Sequence, residues 1–83
     1  MITVNISNQL ESITGCKKIL LEEIETELRV DEFKELLIKK CPKLSNLVNY
    51  IYFEKGGRVY KNNEDFFIKR GDTVNIFLNI FGG

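Results

Sequence analysis

Ile2, Val4 and Ile6 alternate with Thr3, Asn5 and Ser7, the period-two pattern of a strand with one buried face. Residues 8–15 then read as a short helix. Asn8 suits its N-cap, Leu10 and Ile13 share a face, and Gly15 offers a left-handed stop. A second strand is predicted over residues 18–24, with Ile19 and Leu21 pointing one way; Glu22, Glu23, Glu25 and Glu27 make an acidic, exposed exit. From Val30 to Lys40 the period becomes helical. Val30, Phe33, Leu36, Leu37 and Cys41 fall on one stripe, and Asp31, Glu32, Lys34, Glu35 and Lys39 cover the other face. Acids open this helix and lysines close it, as its dipole favours, and Pro42 ends it. Arg29 stands at the cap position, with Thr26 and Asp31 as alternative caps.

Two runs follow, residues 47–54 and 58–60, joined as a hairpin by Lys55-Gly56-Gly57. Residues 62–65 are a polar connector, and Phe66, Phe67 and Ile68 are expected beneath the sheet. A turn at Lys69-Arg70-Gly71-Asp72 leads into a last strand over 73–80, with Val74, Ile76, Leu78 and Ile80 on one face and Asn75, Phe77, Asn79 and Phe81 on the other. Ile51 and Phe53 read as core. Phe77 and Phe81 then point outward with Tyr50 and Tyr52 on the same side; the competing parity turns Leu78 and Ile80 outward instead. One amphipathic helix covers only one face of a four- or five-stranded sheet. The predicted class is α+β, a mixed sheet crossed by one main helix as in the ubiquitin-like β-grasp, with the first and last strands parallel at its centre. Residues 1–83 read as one domain, with 81–83 as a flexible tail.

Twelve basic and twelve acidic residues among 83 give zero net charge, which argues against nucleic-acid binding. Lys17-Lys18 and Lys39-Lys40 with Lys43 read as solvated faces interleaved with glutamates. The chain has no histidine, so it holds neither Ser-His-Asp nor Cys-His machinery. Cys16 and Cys41 are too few and too far apart for a zinc site; a bridge between them is possible on count alone, and reduced, half-buried thiols are expected of them. Gly56-Gly57 lacks the spacing of a phosphate loop. The longest apolar run, Tyr50-Ile51-Tyr52-Phe53, is far short of a membrane span, and the start lacks a secretory signal pattern, so a cytoplasmic location is expected. These absences imply that no cofactor or metal is bound by this chain and that its side chains are not the reagents of any chemistry it joins.

Several segments carry a resemblance to a known family. A strand leads into a short helix ending at Gly15; Arg29-Val30-Asp31-Glu32-Phe33-Lys34-Glu35-Leu36-Leu37 is similar to a "Thr-Val-x-x-Leu-x-x-x-Leu" helix; Ile68-Lys69-Arg70-Gly71-Asp72-Thr73-Val74-Asn75-Ile76-Phe77 fits "Leu-x-x-Gly-Asp-x-Val-x-Ile-Phe"; and the chain closes on Gly82-Gly83. In order and spacing these resemble the small subunit of molybdopterin synthase and its relative, the thiamine-thiazole sulfur carrier, over nearly the whole chain. Leu78-Asn79-Ile80 stands where Pro-Pro-Val is common in the former, and Arg29 replaces the helix-opening Thr. The length fits the molybdopterin subunit better than the thiazole carriers, which are shorter.

The resemblance implies a carrier whose reagent is its last residue. A C-terminal carboxylate, with a pKa of about 3.3–3.7, is ionised at neutral pH and is a poor electrophile. An adenylating partner using ATP and Mg²⁺ converts it to an acyl adenylate, and a sulfur donor then makes the Gly83 thiocarboxylate. The large subunit of molybdopterin synthase uses that sulfur on a pterin precursor. Gly82 and Gly83, without a Cβ, suit a narrow channel. Phe77, Phe81, Tyr50, Tyr52 and Asn79 are the expected partner-binding residues. The alternatives are sulfur supply to thiazole, cysteine or thiolated tRNA, a ubiquitin-like protein modifier, or a β-grasp binding module with an inert tail.

Overall fold

The computed structural model describes residues 1–78; Asn79, Ile80, Phe81, Gly82 and Gly83 lie outside the described residues, and with them the expected last stretch of the closing strand and the tail. The elements run β1 (Ile2–Ile6), α1 (Asn8–Thr14), β2 (Lys18–Leu21), β3 (Leu28–Arg29), α2 (Val30–Lys40), two 3₁₀ turns (Pro42–Asn46 and Val48–Tyr50), β4 (Ile51–Lys55), β5 (Arg58–Tyr60), β6 (Phe67–Ile68) and β7 (Thr73–Leu78). Five strands form one mixed sheet in the order β2-β1-β7-β4-β5, and β3 pairs with β6 in a separate two-stranded ribbon. β1 and β7 are parallel, Val4 beside Val74 and Ile6 beside Ile76; the other pairings of the large sheet are antiparallel. The central, parallel placement of first and last strands is the one expected from the pattern.

Every alternate residue of β1 is buried, and Ile2, Val4, Ile19, Leu21, Ile51, Phe53, Val74 and Ile76 line one face of the sheet. Against that face lie Val30, Phe33, Leu37 and Cys41 from the α2 stripe. Phe53 sits between Phe33 and Phe66, with ring centroids 5.9 and 5.5 Å away, and Tyr60 stacks on Phe66 at 4.1 Å. Leu36, the remaining stripe residue, is only half-buried.

Gly15 ends α1 at φ 75°, as read from the sequence, but the cap is Ser7 and not Asn8. The Ser7 hydroxyl accepts from the Leu10 N–H at 3.5 Å, because β1 stays extended through Ser7. Arg29 is the extended residue ahead of α2, and the Glu32 carboxylate accepts its N–H at 3.3 Å, which supplies the half of a capping box that arginine itself lacks. β2 stops at Leu21 rather than continuing to residue 24. Residues 47–50 are not strand: Leu47 N–H donates to Leu44 O and Tyr50 N–H to Leu47 O, a run of tight turns started by Pro42 and pinned by buried Leu44. Phe67 is 51% exposed, because the two residues flanking it, Phe66 and Ile68, take the inward positions and an extended chain alternates.

The largest correction concerns the cysteines. Cys16 and Cys41 are joined by a disulfide, with Cα atoms 6.6 Å apart, instead of standing as two thiols. The left-handed turn at Gly15 and the end of α2 bring them together, a meeting that residue counts do not encode. Closing this loop stabilises the fold by about 3 kcal/mol in the chain-entropy account. Reduction is expected to lower the thermal midpoint by roughly 10–20 °C. Melts with and without a phosphine reductant check this; a midpoint that reductant leaves unmoved would contradict it.

Candidate functional site

The face of the large sheet turned away from α2 carries the outward-pointing residues of its strands. In β7 these are Thr73, Asn75 and Phe77, and in β4 they are Tyr52 and Glu54. The turn before β7 fixes this parity. Asp72 N–H donates to Lys69 O at 3.0 Å, Gly71 takes φ 93°, and the Asp72 carboxylate accepts from the Lys69 N–H at 2.8 Å and from Lys55 Nζ at 3.3 Å. A residue with a Cβ is strained at such a φ, so the turn demands Gly71, and Asp72 closes it through its carboxylate. Thr3 N–H to Asp72 O and Ser7 N–H to Ile76 O, both 3.0 Å, then lock β7 against β1.

Tyr52 and Phe77 are cross-strand neighbours whose rings meet edge to face, centroids 5.9 Å apart. Both are half-buried, so the outward parity holds for them, and Ile51 and Phe53 are core as expected. Leu78 is half-buried and packs against the core, which excludes the competing parity for β7. Tyr50 is 62% exposed, but it lies in the 3₁₀ turn ahead of β4 and not on the strand with Tyr52. Asn79, Phe81, Gly82 and Gly83 fall outside the described residues.

Beside the aromatic pair runs a polar row. Asn5 Nδ2 donates to Asn75 Oδ1 at 3.1 Å, Asn75 Nδ2 donates to Glu54 Oε1 at 2.6 Å, and the Gly57 N–H donates to Glu54 Oε2 at 2.8 Å. The hydrogen bond from Asn75, with that from Gly57, holds the Glu54 carboxyl below its ordinary range, so this face keeps a fixed negative charge at neutral pH. Asn5, Glu54 and Asn75 are not among the site residues expected from the sequence. The available signal was that Asn5, Glu54 and Asn75 all fall on outward positions of neighbouring strands. The site therefore consists of an aromatic pair at the end of the central strand from which the chain runs on to Gly82-Gly83, next to an ordered polar row. It offers an apolar patch beside a row of hydrogen-bonded polar groups.

No family model and no curated protein matches the chain. Among solved structures it is similar to the crystal structure of SAMP1 from Haloferax volcanii, at 17% identity over 99% of this chain and 98% of that one, with a TM-score of 0.66. The fold is the ubiquitin-like β-grasp. At this identity the likeness is one of fold. In this β-grasp chain no group of three or more metal-ligating side chains occurs among the described residues, and none of the described helices is long and apolar enough to cross a membrane.

Proposed function

We propose that this β-grasp chain is a sulfur carrier, the small subunit of a molybdopterin synthase, acting through the Gly83 carboxyl. In an adenylating partner the carboxylate attacks the α-phosphorus of ATP and pyrophosphate leaves. Sulfide-level sulfur from a donor then attacks the acyl carbon, and AMP departs with one of the original carboxylate oxygens. In the large subunit the thiocarboxylate passes its sulfur to a pterin precursor, and water restores the carboxylate. The observation that carries this reading is the ubiquitin-like sheet whose central strand, β7, leads in sequence to Gly82-Gly83. Tyr52 and Phe77 on the uncovered face supply an apolar anchor beside that strand, of the type enriched at interface centres.

Intact mass tests the chemistry. Incubation with a cognate activating enzyme, ATP and a sulfur source is expected to add about 16 Da, one oxygen exchanged for one sulfur. The likeness to SAMP1, a ubiquitin-like small archaeal modifier protein, favours a second reading, in which Gly83 is joined to lysines of other proteins. Adducts larger by the mass of whole proteins would select that modifier reading, and an unchanged mass would sink both.

Phe77→Asp is expected to weaken binding to the activating enzyme by about 2 kcal/mol, a roughly thirtyfold rise in Kd. Its cost to folding is expected to be smaller, about 1 kcal/mol for the lost Tyr52 pairing. Calorimetric titration and denaturant melts on the same variant separate the two; a larger loss in folding than in binding would refute the anchor.

A further inference from the structure

β2 is the end strand of the large sheet, and among the described strands only β1 pairs with it. Its two edges are not equivalent. Ile6 N–H donates to Lys17 O at 3.1 Å, and the register continues Val4 beside Ile19 and Ile2 beside Leu21. In an antiparallel ladder the hydrogen-bonded positions alternate, so residues 17, 19 and 21 spend their backbone groups on β1. Lys18 and Leu20 direct N–H and C=O groups to the open side, and Leu20 is 41% exposed.

The sequence along this edge is self-complementary in charge. Lys17 and Lys18 precede Leu20, and Glu22 and Glu23 follow it, all four exposed. If the edge is laid antiparallel on a copy of itself with Leu20 opposite Leu20, Lys18 comes opposite Glu22 on both sides of the twofold axis, with Lys17 and Glu23 just beyond the paired stretch at its opposite-sign ends. The same register sets Leu20 against Leu20, both with backbone groups directed to the open side, the arrangement in which an antiparallel pair exchanges N–H···O=C bonds. A shift of one residue sets the open-side positions of one strand against positions that bond to β1 in the other, and so breaks the hydrogen-bonding match. A concavity of about 250 Å³ adjoins the edge, floored by Leu21, Ile24 and Leu36 and bordered by Glu23 and Lys40. Leu36, the one residue of the α2 stripe left half-buried, lies in this concavity.

We infer that the chain pairs with a second copy of itself through β2, antiparallel about Leu20, giving a continuous sheet across two protomers. The contact is isologous, as a twofold axis requires. It is small, so the dimer is weak, with a Kd on the order of 100 µM, and salt-sensitive because the matched charges are exposed. It leaves Tyr52, Phe77 and the end of β7 uncovered and does not depend on the tail chemistry proposed above.

Sedimentation equilibrium of the full chain over roughly 10 µM to 1 mM, bracketing the expected Kd, tests this. The expected result is a monomer–dimer equilibrium weakened by added salt, with amide exchange at Lys18 and Leu20 slowed in the dimer. Lys17→Glu with Lys18→Glu in one variant, and Glu22→Lys with Glu23→Lys in another, are each expected to weaken self-association at least about tenfold, because like charges then face each other. An equimolar mixture of the two is expected to recover dimerisation at the wild-type level. All four positions are exposed, so the melts of both variants are expected to match the wild type. A monomer throughout the range, unaltered association in both variants, failure of the mixture to recover, or edge amides protected only when a foreign extended peptide is added would each overturn the inference.

Discussion

Phe53→Ala is expected to cost about 3–5 kcal/mol, the range for truncating a fully buried phenylalanine. Phe53 has no exposed surface, lies on β4 between β7 and β5, and is held by rings from α2 and from the segment leading into β6. Removing it strips partners from Phe33 and Phe66 together, and the sheet on one side and helix on the other limit collapse into the void. A domain of this size has about 5–15 kcal/mol in total, so the variant keeps a small margin or none. Guanidinium melts at constant m measure the loss. Phe53→Leu, which retains most of the volume, is expected to lose less than half as much. A loss below about 1 kcal/mol for the alanine variant would mean that the β4–α2 contact is not the centre of the core.

The second large effect is on sulfur transfer. Deleting Gly83, or adding an alanine after it, moves the reacting carboxyl by one residue, about 3.5 Å. Reacting atoms must come within about 3–3.5 Å in line, and misplacement by 1 Å already costs about a hundredfold, so both variants are expected to show no measurable thiocarboxylate. Folding is expected to be indifferent, since the ladder described for β7 already holds it from Thr73 to Leu78. Mass spectrometry of the activation reaction reads the first quantity, and thermal melts, expected to agree within about 2 °C, read the second. Full thiocarboxylate formation by the shortened chain would refute the carrier reading. A collapse of the midpoint would show instead that the tail belongs to the fold.

Short-range pattern accounted for much of the architecture because it reports on burial at each position. Alternation placed β1 and β7 with the right faces inward, the helical stripe gave Val30–Lys40, and the glycines at 15, 56 and 71 marked positive-φ turns. The aromatic half of the candidate site, Tyr52 with Phe77, followed from the same parity. The polar half did not, since hydrogen bonding among Asn5, Asn75 and Glu54 depends on which strands become neighbours. Tyr50 was misplaced because an apolar run looks alike as a strand and as a tight turn held by one buried leucine.

Local periodicity, glycine placement and end charges were enough to determine the α+β class, the main helix and the inward faces, because each depends on residues a few positions apart. The tertiary structure decided what depends on distant segments meeting: the Cys16–Cys41 bond, the Glu54 network and the place of β2 at the end of the described sheet. Those contacts follow from strand order and chain crossing, which the physics of packing selects only once the whole core has formed.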